Sequence, residues 1–543
     1  MHRYKRPLIA LTALALLSAC GGGATAAGDG GDEGTPVKGG TLRLAFWDDQ
    51  QGCIDPNQVY WIESRSLNRQ FADSLTDQDP ETGKIVPWLA TSWKINDDAT
   101  KYTFELRDDV TFSDGTAFDA AAVKTAFDAT HDLGAKSLLG LTYTAGYKSS
   151  KVIDDHTVEV DFDTPNAAFL QATSTTTLSI LSPKTYEQTP EERCTGENLV
   201  GTGAFTLDSY TAATEAHLTR RDDYAWPSQL VKNQGAAYLD AIEVSYIKED
   251  SVRVGSLTSG SVDIAWPRLP ISEADQKVIE ATGASVESRS LPGISSSYFP
   301  NVTEGRVLAD EKVRQALQKA IDRKSYASTI FWADYPVVTG PFDSTTPYST
   351  DGSAALAHDL EGAKKLLDEA GWSAGADGYR TKDGKTLTLT IPVRDTTPGD
   401  QLVQDQLKQA GFRVELKVLT LAQYQAAAAG GEYDLLGTYY TRADPSVLGS
   451  VLDQAVSQAG TAQLSQAGAT ADEISGLFRA GLEATDDGKR SGAYADLQQE
   501  ILEQGVMFPL YERVQTAGIS AKVHGFAWTS EAFLRANDIW VDQ

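Results

Sequence analysis

Hydrophobic side chains occupy every second position in several short segments of the first half of the chain. Such alternation is typical of β-strands that bury one face. It predicts strands over residues 41–47, 101–106, 158–162, 205–207, 242–246 and 262–266. Between two of these strands, Asp119 precedes a helical pattern that it can cap, with Val123 and Phe127 on the apolar face. The segments between about 85 and 185 therefore predict a small α+β unit.

From about residue 290, helical and strand patterns alternate. Helices are predicted where apolar residues recur at helical spacing, over 311–321 and 360–370. The pattern then changes to strand, helix and strand over 387–391, 400–410 and 412–418. Such a βαβ order implies two parallel strands joined by a right-handed crossover. The sequence thus predicts an α/β protein.

The first 20 residues have the layout of an export signal. Three cations precede an apolar run over residues 8–17, which ends in Leu17-Ser18-Ala19-Cys20. This order predicts a secretory signal peptide over 1–19. Leu-Ser-Ala-Cys resembles the lipobox of bacterial lipoproteins, so Cys20 is the predicted lipidation site. An uncleaved membrane anchor is the alternative, but a spanning helix needs about 20 apolar residues and this run is shorter.

Residues 20–40 are rich in glycine and have almost nothing to bury. Their composition is typical of a flexible coil. We interpret them as a linker between the lipid and the folded body. An ordinary disordered N-terminus has the same composition, and only Cys20 distinguishes the two interpretations.

Length and charge narrow the class of protein. The chain has 543 residues, and single hydrophobic cores stop growing near ~250–300 residues, so at least two lobes are expected. The formal net charge of −28 opposes nucleic-acid binding, which needs a basic surface. We interpret the acidity as a contribution to solubility.

After Cys20, the chain has two further cysteines, Cys53 and Cys194. An even number of cysteines in an exported protein indicates disulfide pairing, so one disulfide is predicted here. Two free thiols, far apart in space, are the alternative.

The common catalytic and nucleotide-binding motifs are missing from the sequence. No segment matches a Walker A loop, G-x-G-x-x-G, G-x-S-x-G or H-E-x-x-H. The six histidines never lie within four residues of one another, which excludes a helical metal pair. No cofactor, metal or catalytic activity is therefore expected, although scattered carboxylates can still assemble a site in space.

Seven segments, in order along the chain, resemble the family 5 solute-binding proteins of ABC importers, the oligopeptide, dipeptide and nickel type. The segment from Leu89 resembles the family's strand, F-x-D-G-T-x-F turn and helix, and GTGAF from Gly201 resembles its GTGPY turn. EKVRQALQKAID from Glu311 resembles its VRQAL-x-x-AID helix. The other segments are HDLEGAKKLLDEAGW, VQDQLKQAGFRVELKVL, GEYDLLGTYYTRADPSVL and LQQEILEQGVMFPLYER.

The resemblance implies a two-lobe periplasmic-binding-protein-like type II fold, in which a hinge lets the lobes enclose a ligand. Lobe I is expected over 41–289, with the α+β unit of 85–185 as an inserted subdomain. Lobe II is expected over 290–505. Residues 506–543 are expected to return to lobe I.

The resemblance also implies a function. The protein is expected to be an extracytoplasmic lipoprotein, anchored to the cell membrane, that captures a peptide or other small organic solute. It would deliver this solute to ABC permease subunits with a cytoplasmic ATPase, and it would act as a monomer. Two alternatives stay open, namely a sensory or adhesive lipoprotein of the same fold and a secreted enzyme.

Cleft contacts in this family come from loops at strand ends, which here correspond to 47–55, 266–269, 295–301 and 439–444. Aromatic side chains in such loops can stack on an organic ligand, whereas core or surface packing is the alternative for each of them. The predicted ligand-binding residues are Trp47, Tyr60, Trp266, Ser296, Tyr298, Tyr439, Tyr440, Thr441, Arg442 and Asp444.

One departure from the family pattern concerns charge. Peptide-binding members usually carry an aspartate a few residues before the Asp-Pro of this region, where it pairs with the peptide's α-ammonium. Thr441 and Arg442 stand before Asp444-Pro445 here, and no acid does. This departure leaves open an anionic ligand or a blocked peptide. We hypothesise that Arg442, supported by Thr441 and the pair Tyr439-Tyr440, binds an anionic or strongly accepting group, since arginine binds planar anions bidentately. The alternative role of Arg442 is a salt bridge within lobe II. Metal chelates also stay open as ligands, whereas the absence of a histidine near these loops disfavours nickel.

Overall fold

The computed structural model of the chain describes residues 34–452 and 469–543. Within these, residues Pro36–Gln543 belong to one unit. Cys20, the signal peptide and most of the predicted linker lie outside the described residues. Among the described helices, none combines the length and the apolar character needed to span a membrane.

A seven-stranded sheet carries the first hydrophobic core. Its three central strands run parallel, and Leu44 in the middle strand lies opposite Val244 and Ile264. Every other neighbouring pair in this sheet is antiparallel. In spatial order the strands are Ser285–Ser290, Val514–Ile519, Ile264–Trp266, Thr41–Phe46, Ala241–Tyr246, Glu215–Arg220 and Phe205–Thr211.

Both faces of the middle strand are buried. Leu42, Leu44 and Phe46 join the large first core, while Ala45 faces a small core with Val254, Leu257 and Ile279. This burial on both faces explains why the strand is apolar along most of its length.

The predicted α+β unit is a separate antiparallel sheet packed on the first core. Its strands, in spatial order, are Ala90–Ile95, Lys101–Leu106, Thr157–Phe162 and Tyr147–Asp154. Helix Ala120–Asp132 covers it, and the side chain of Asp119 accepts a hydrogen bond from the backbone N–H of Ala122, as the capping pattern predicted.

After residue 292, the chain forms a second sheet and a second core. The sheet has Gly293–Pro300 at its centre, flanked by antiparallel strands Leu435–Thr441 and Phe508–Tyr511. The βαβ prediction is confirmed, because strands Thr388–Val393 and Arg413–Val418 are parallel and helix Pro398–Ala410 joins them. Gly411 ends that helix at a φ of 104°, a left-handed conformation that favours glycine.

The remaining elements are short ribbons and helices around these sheets. The ribbons pair Thr76–Gln78 with Ile85–Pro87, Val523–His524 with Trp540–Val541, and Ala527–Trp528 with Leu534–Arg535, and a three-stranded one joins Ser373–Ala374, Arg380–Lys382 and Lys385–Thr386. The other α-helices are Ile62–Phe71, Leu138–Tyr143, Phe169–Ala172, Pro190–Cys194, Asp250–Thr258, Glu273–Glu280, Glu311–Ala320, Arg323–Ile330, Leu360–Glu369, Leu421–Gly430, Gly449–Leu452, Ala469–Glu483 and Asp487–Glu503.

The chain passes between the first and the second sheet twice, and the second passage corrects a predicted boundary. The first passage lies between Ser290 and Gly293. The return was expected at residue 506, but Phe508–Tyr511 still pairs with the second sheet and only Val514–Ile519 pairs with the first. The second passage therefore lies between Tyr511 and Val514, because the strand that was assigned to the return completes the second sheet.

Cys53 and Cys194 form the expected disulfide, 141 residues apart in sequence. Beside it, the backbone N–H of Ile54 donates to the carbonyl of Cys194 at 3.2 Å. The bond thus fixes the segment after Trp47 to the short helix Pro190–Cys194.

Replacing both cysteines by serine should lower the free energy of unfolding by about 2–5 kcal/mol, because the crosslink restricts the unfolded chain. Urea denaturation of the wild type and of Cys53→Ser/Cys194→Ser, each with and without dithiothreitol, measures this. Reductant should destabilise the wild type and leave the double variant unchanged. An equal effect of reductant on both proteins would contradict the prediction.

Candidate functional site

The candidate site lies where parallel strands of the first sheet end. Strands Thr41–Phe46 and Ile264–Trp266 run in the same direction, so Trp47 and Arg268 follow them at one edge of the sheet. Helix Ile62–Phe71 begins beside this edge, since Trp61 immediately precedes it. In open α/β sheets, ligands bind in the crevice outside the carboxyl ends of the strands.

Four side chains at this edge form what we call the aromatic–arginine cluster: Trp47, Tyr60, Trp61 and Arg268. The guanidinium carbon of Arg268 lies 4.9 Å from the ring centroid of Trp47 and 5.6 Å from that of Trp61. The rings of Tyr60 and Trp61 are 5.7 Å apart. Cation–π contacts of this kind are attractive, so the two indoles hold the arginine in place. Tyr60 and Arg268 remain exposed to solvent.

A buried carboxylate lies close to this cluster. Glu63, in the first turn of its helix, is 4% exposed. Burial raises its pKa to about 7, although its own backbone N–H and the charge of Arg268 act in the opposite direction. Neighbouring Asp48 is paired with Lys248 at 3.1 Å. Glu63 has no comparable ion pair among the described residues, so Arg268 is its main positive neighbour.

A second charged group, deeper in the first half, joins distant parts of the sequence. The guanidinium of Arg65 donates to the Glu531 carboxylate at 2.7 Å, and both side chains are buried. Arg65 also lies over the ring of Phe533, 4.6 Å from its centroid, and 3.5 Å from the hydroxyl of Tyr143. This pair fixes the helix that follows Trp61 against the C-terminal segment.

Arg513 holds the two passages between the sheets together. Its Nε donates to Asp343 Oδ2 at 2.6 Å, and its backbone N–H donates to Asp343 Oδ1 at 2.9 Å. The remaining donors reach Thr441 Oγ1 at 2.7 Å and the carbonyl of Pro292 at 3.0 Å. Its guanidinium carbon lies 5.2 Å from the ring centroid of Tyr439, which is 41% exposed. Thr441 and Tyr439 are thus both arranged by Arg513.

Arg442 reaches from the second half of the chain to the first. Its Nε donates to Gln171 Oε1 at 3.0 Å, and an Nη2 contact to the carbonyl of Ala168 measures 3.4 Å. Its guanidinium carbon lies 4.3 Å from the ring centroid of Tyr143. The Gln171 segment packs in the first core, so this buried arginine bridges the two halves. The salt bridge within lobe II that was its alternative role is not recorded among the described residues.

The carboxylate of Asp444, which was predicted to bind ligand, is bound by other groups of the protein. Arg490 Nη2 lies 2.9 Å from each of its carboxylate oxygens, and the backbone N–H of Ser446 donates to Oδ1. Burial alone would raise the pKa of Asp444, but the charges of Arg490 and Arg442 outweigh that effect and the pKa is lowered. We therefore withdraw Asp444 from the ligand-facing set.

Two predicted ligand loops are strands, which changes the assignment of their residues. Residues 295–300 and 439–441 belong to strands Gly293–Pro300 and Leu435–Thr441, so alternate side chains point into cores. Tyr298 is buried in the second core with its hydroxyl toward Asp400, and we withdraw it. Trp266 is fully buried between Phe46 and Trp528 and is withdrawn for the same reason. The half-buried residues that remain are Ser296, which lies opposite Tyr511, together with Tyr440 and Thr441.

Comparison with known proteins identifies the class. Residues 84–461 match the bacterial extracellular solute-binding proteins, family 5 Middle. The chain belongs to this family. The glutathione-binding protein GsiB of Escherichia coli (strain K12) is 27% identical over 380 residues, 69% of each chain. The probable di/tripeptide-binding protein 5 of Pseudomonas aeruginosa (strain UCBPP-PA14) is 27% identical over 477 residues, 83% of this chain and 86% of that protein. Among solved structures, NikA from Brucella suis in complex with Fe(III)-EDTA matches with a TM-score of 0.79 at 22% identity, covering 93% of this chain and all of that one.

Family membership confirms the expected fold and class. The chain is a family 5 solute-binding protein of the ABC-importer type, with a two-lobe type II α/β fold. Members of the family bind solutes and are not enzymes, so the secreted-enzyme alternative is dropped. The sensory or adhesive alternative receives no support from these relatives.

Sequence reasoning missed several residues of the site. Arg268 follows Pro267 in a segment that had been singled out, and its charge beside aromatic residues was the available signal. Trp61 adjoins the predicted Tyr60 in the same way. Arg65 and Glu531 are 466 residues apart, and no local pattern connects them.

Replacing Glu63 by glutamine should change how stability depends on pH. An acid whose pKa rises on folding, here from 4.5 to about 7, binds more protons in the folded state. The free energy of unfolding therefore falls as pH rises through that window, by up to about 3 kcal/mol. Glu63→Gln should equal the wild type near pH 4 and exceed it at pH 8, measured by urea denaturation. The exposed control Glu287→Gln should show no such divergence, and parallel wild-type and Glu63→Gln profiles would contradict the prediction.

The bridge from Arg442 to Gln171 should appear as energetic coupling between the halves. A double-mutant cycle of Arg442→Ala and Gln171→Ala is expected to give a coupling of about 0.5–3 kcal/mol in the free energy of unfolding. The control cycle replaces Arg442→Ala by Arg479→Ala, an exposed arginine, and should give no coupling. Additive effects in the first cycle would show that the bridge contributes nothing to stability.

Proposed function

We propose that this protein is a lipid-anchored receptor that captures a small organic solute between two lobes and delivers it to ABC permease subunits. The observation that carries the proposal is the aromatic–arginine cluster at the carboxyl edge of the first sheet, in a chain of this family. Its half-exposed aromatic rings and exposed guanidinium suit an organic solute better than a bare metal ion. Consistent with this, His, Cys, Asp and Glu side chains in the described part of the chain form no group of three or more that could hold a metal.

The two passages between the sheets form the hinge of this proposal. They lie side by side, since the backbone N–H of Leu291 donates to the carbonyl of Arg513 at 2.9 Å. Two short adjacent connections permit hinge rotation of the bodies on either side. A solute that contacts both bodies stabilises the closed state, which a permease can distinguish from the open one. We assign lobe I to 41–290 and 514–543, with 85–185 as its inserted subdomain, and lobe II to 293–511.

The solute class is proposed as a peptide or an anionic organic molecule. The relatives named above are described as binding glutathione or di- and tripeptides, and one solved structure holds Fe(III)-EDTA. Peptide-binding members usually carry an aspartate a few residues before this Asp-Pro, whereas no acid stands there in this chain. Thr441, in the same segment, accepts a hydrogen bond from Arg513. The surroundings at this point are therefore cationic, which disfavours a free α-ammonium and favours an anionic or blocked group.

Calorimetry on the full-length protein, solubilised in detergent and stripped of bound solute, tests this function. The panel comprises glutathione, di- and tripeptides, their N-acetylated forms and Fe(III)-EDTA. At least one should bind, and small-angle scattering should show a smaller radius of gyration in its presence. Binding without compaction would contradict capture by closure. Absence of binding, together with no co-purifying solute by native mass spectrometry, would contradict solute capture itself.

Anchoring is proposed to occur through Cys20, and the body would then act as a monomer on the outer face of the cell membrane. Metabolic labelling with an alkynyl fatty acid should tag the wild type and spare Cys20→Ala, because acylation requires that thiol. The variant Cys53→Ser/Cys194→Ser is the matched control and should be labelled like the wild type. Equal labelling of Cys20→Ala and the wild type would rule out this anchor.

A further inference from the structure

We propose that Arg268, held between Trp47 and Trp61, binds a carboxylate or similar planar anion of the captured solute, and that a flat apolar part of the solute contacts the same aromatic rings. The proposal rests on the proposed function and names the class of solute that this edge of lobe I accepts. It assigns the anion to Arg268 rather than to Arg442.

The geometry around Arg268 leaves its donors available. Trp47 and Trp61 both lie over its guanidinium, with their ring centroids 4.9 and 5.6 Å from the guanidinium carbon. A carboxylate binds an arginine at the N–H edge of the guanidinium, with two parallel hydrogen bonds. No hydrogen bond or ion pair from Arg268 is recorded among the residues that the structure describes. An arginine that is already held in one orientation also loses less side-chain entropy when it binds.

Four other arginines differ from Arg268, because their donors already bind groups of the protein. Arg65 is paired with Glu531, and Arg513 is paired with Asp343. Arg442 donates to Gln171, and Arg253 donates to the carbonyl of Ile247. Each of these four side chains is buried, and only Arg268 is exposed to solvent. Of these five cations, Arg268 is thus the one that an incoming anion can reach without breaking a contact.

The buried carboxylate of Glu63 does not neutralise Arg268. Glu63 influences it through space, but the two side chains form no ion pair within 4 Å among the described residues. Because burial raises the pKa of Glu63 to about 7, part of its population is protonated at neutral pH. The guanidinium therefore keeps a net attraction for anions.

Apolar side chains beside Arg268 are exposed to solvent. Leu269 is 62% exposed, Tyr60 is 40% exposed, and Trp47 and Trp61 are half-buried. Exposed aromatic and aliphatic groups beside a fixed cation suit a molecule in which an anionic group adjoins a flat apolar one. An aromatic carboxylic acid and a peptide with an aromatic C-terminal residue both have this arrangement.

Native mass spectrometry of the full-length protein against a defined library tests the assignment. The library contains di- and tripeptides, glutathione and aromatic carboxylic acids, each paired with its carboxamide. The proteins are the wild type, Arg268→Ala, Arg268→Lys and the control Arg413→Ala, whose side chain is half exposed and 3.4 Å from Glu415. Melting temperatures should be equal for all four, since neither arginine is buried.

The wild type and Arg413→Ala should each bind a carboxylate about tenfold or more better than the matching carboxamide. This is the range expected for a charged hydrogen-bonded contact. Arg268→Ala should lose this discrimination, and Arg268→Lys should recover only part of it, since lysine lacks the planar fork. Equal retention of carboxylates and carboxamides by the wild type, or full discrimination by Arg268→Ala, would overturn the assignment while leaving solute capture intact. Retention of nothing by any of the four proteins would overturn both.

Discussion

The buried ion pair of Arg513 with Asp343 is the contact on which the relation between the two halves of the molecule depends. Arg513 lies in the two-residue stretch between the last strand of the second sheet and the returning strand of the first. Its backbone and side chain both bind Asp343, while its remaining donors bind Pro292 and Thr441. A buried carboxylate is stable only while its partner is present. Both passages and strand Leu435–Thr441 therefore share one anchoring point, around which the proposed rotation of the lobes would take place.

Charge is distributed differently on the whole molecule and at the site. The chain carries a formal net charge of −28, yet two buried arginines, Arg442 and Arg513, lie where the two halves meet. Screening in physiological salt acts over about 8 Å, so the acidic surface has little influence on a group that has entered the crevice. In the proposed function, the local cations then decide which group is accepted. Overall acidity consequently carries no information about the sign of the solute.

Elements with strong local signals could be predicted from the sequence, and contacts between distant segments could not. The helix after Asp310 and the βαβ unit that ends at Val418 were recognisable because capping residues and apolar spacing act within a few turns. The assignment of Tyr298 to the ligand failed because strand pairing, which decides which face is buried, involves residue 437 far along the chain. The same limit explains the role of Arg442, whose partner Gln171 is 271 residues away. Arg268 could have been predicted, since its position next to Trp266 and Pro267 is visible in the sequence itself.

The direction of strand Thr41–Phe46 has a consequence for how the molecule presents itself. Residues 39 and 40 are bound to Tyr238 and Asp240 at the strand's beginning, and Trp47 lies at its other end. Six residues at about 3.3 Å each separate the two ends by roughly 20 Å. A chain held from its N-terminal side is thus held at the edge of the sheet opposite the aromatic–arginine cluster. The proposed tether and the proposed solute site would therefore meet the first sheet at opposite edges, so that a receptor of this form could be tethered without its own tether covering the site.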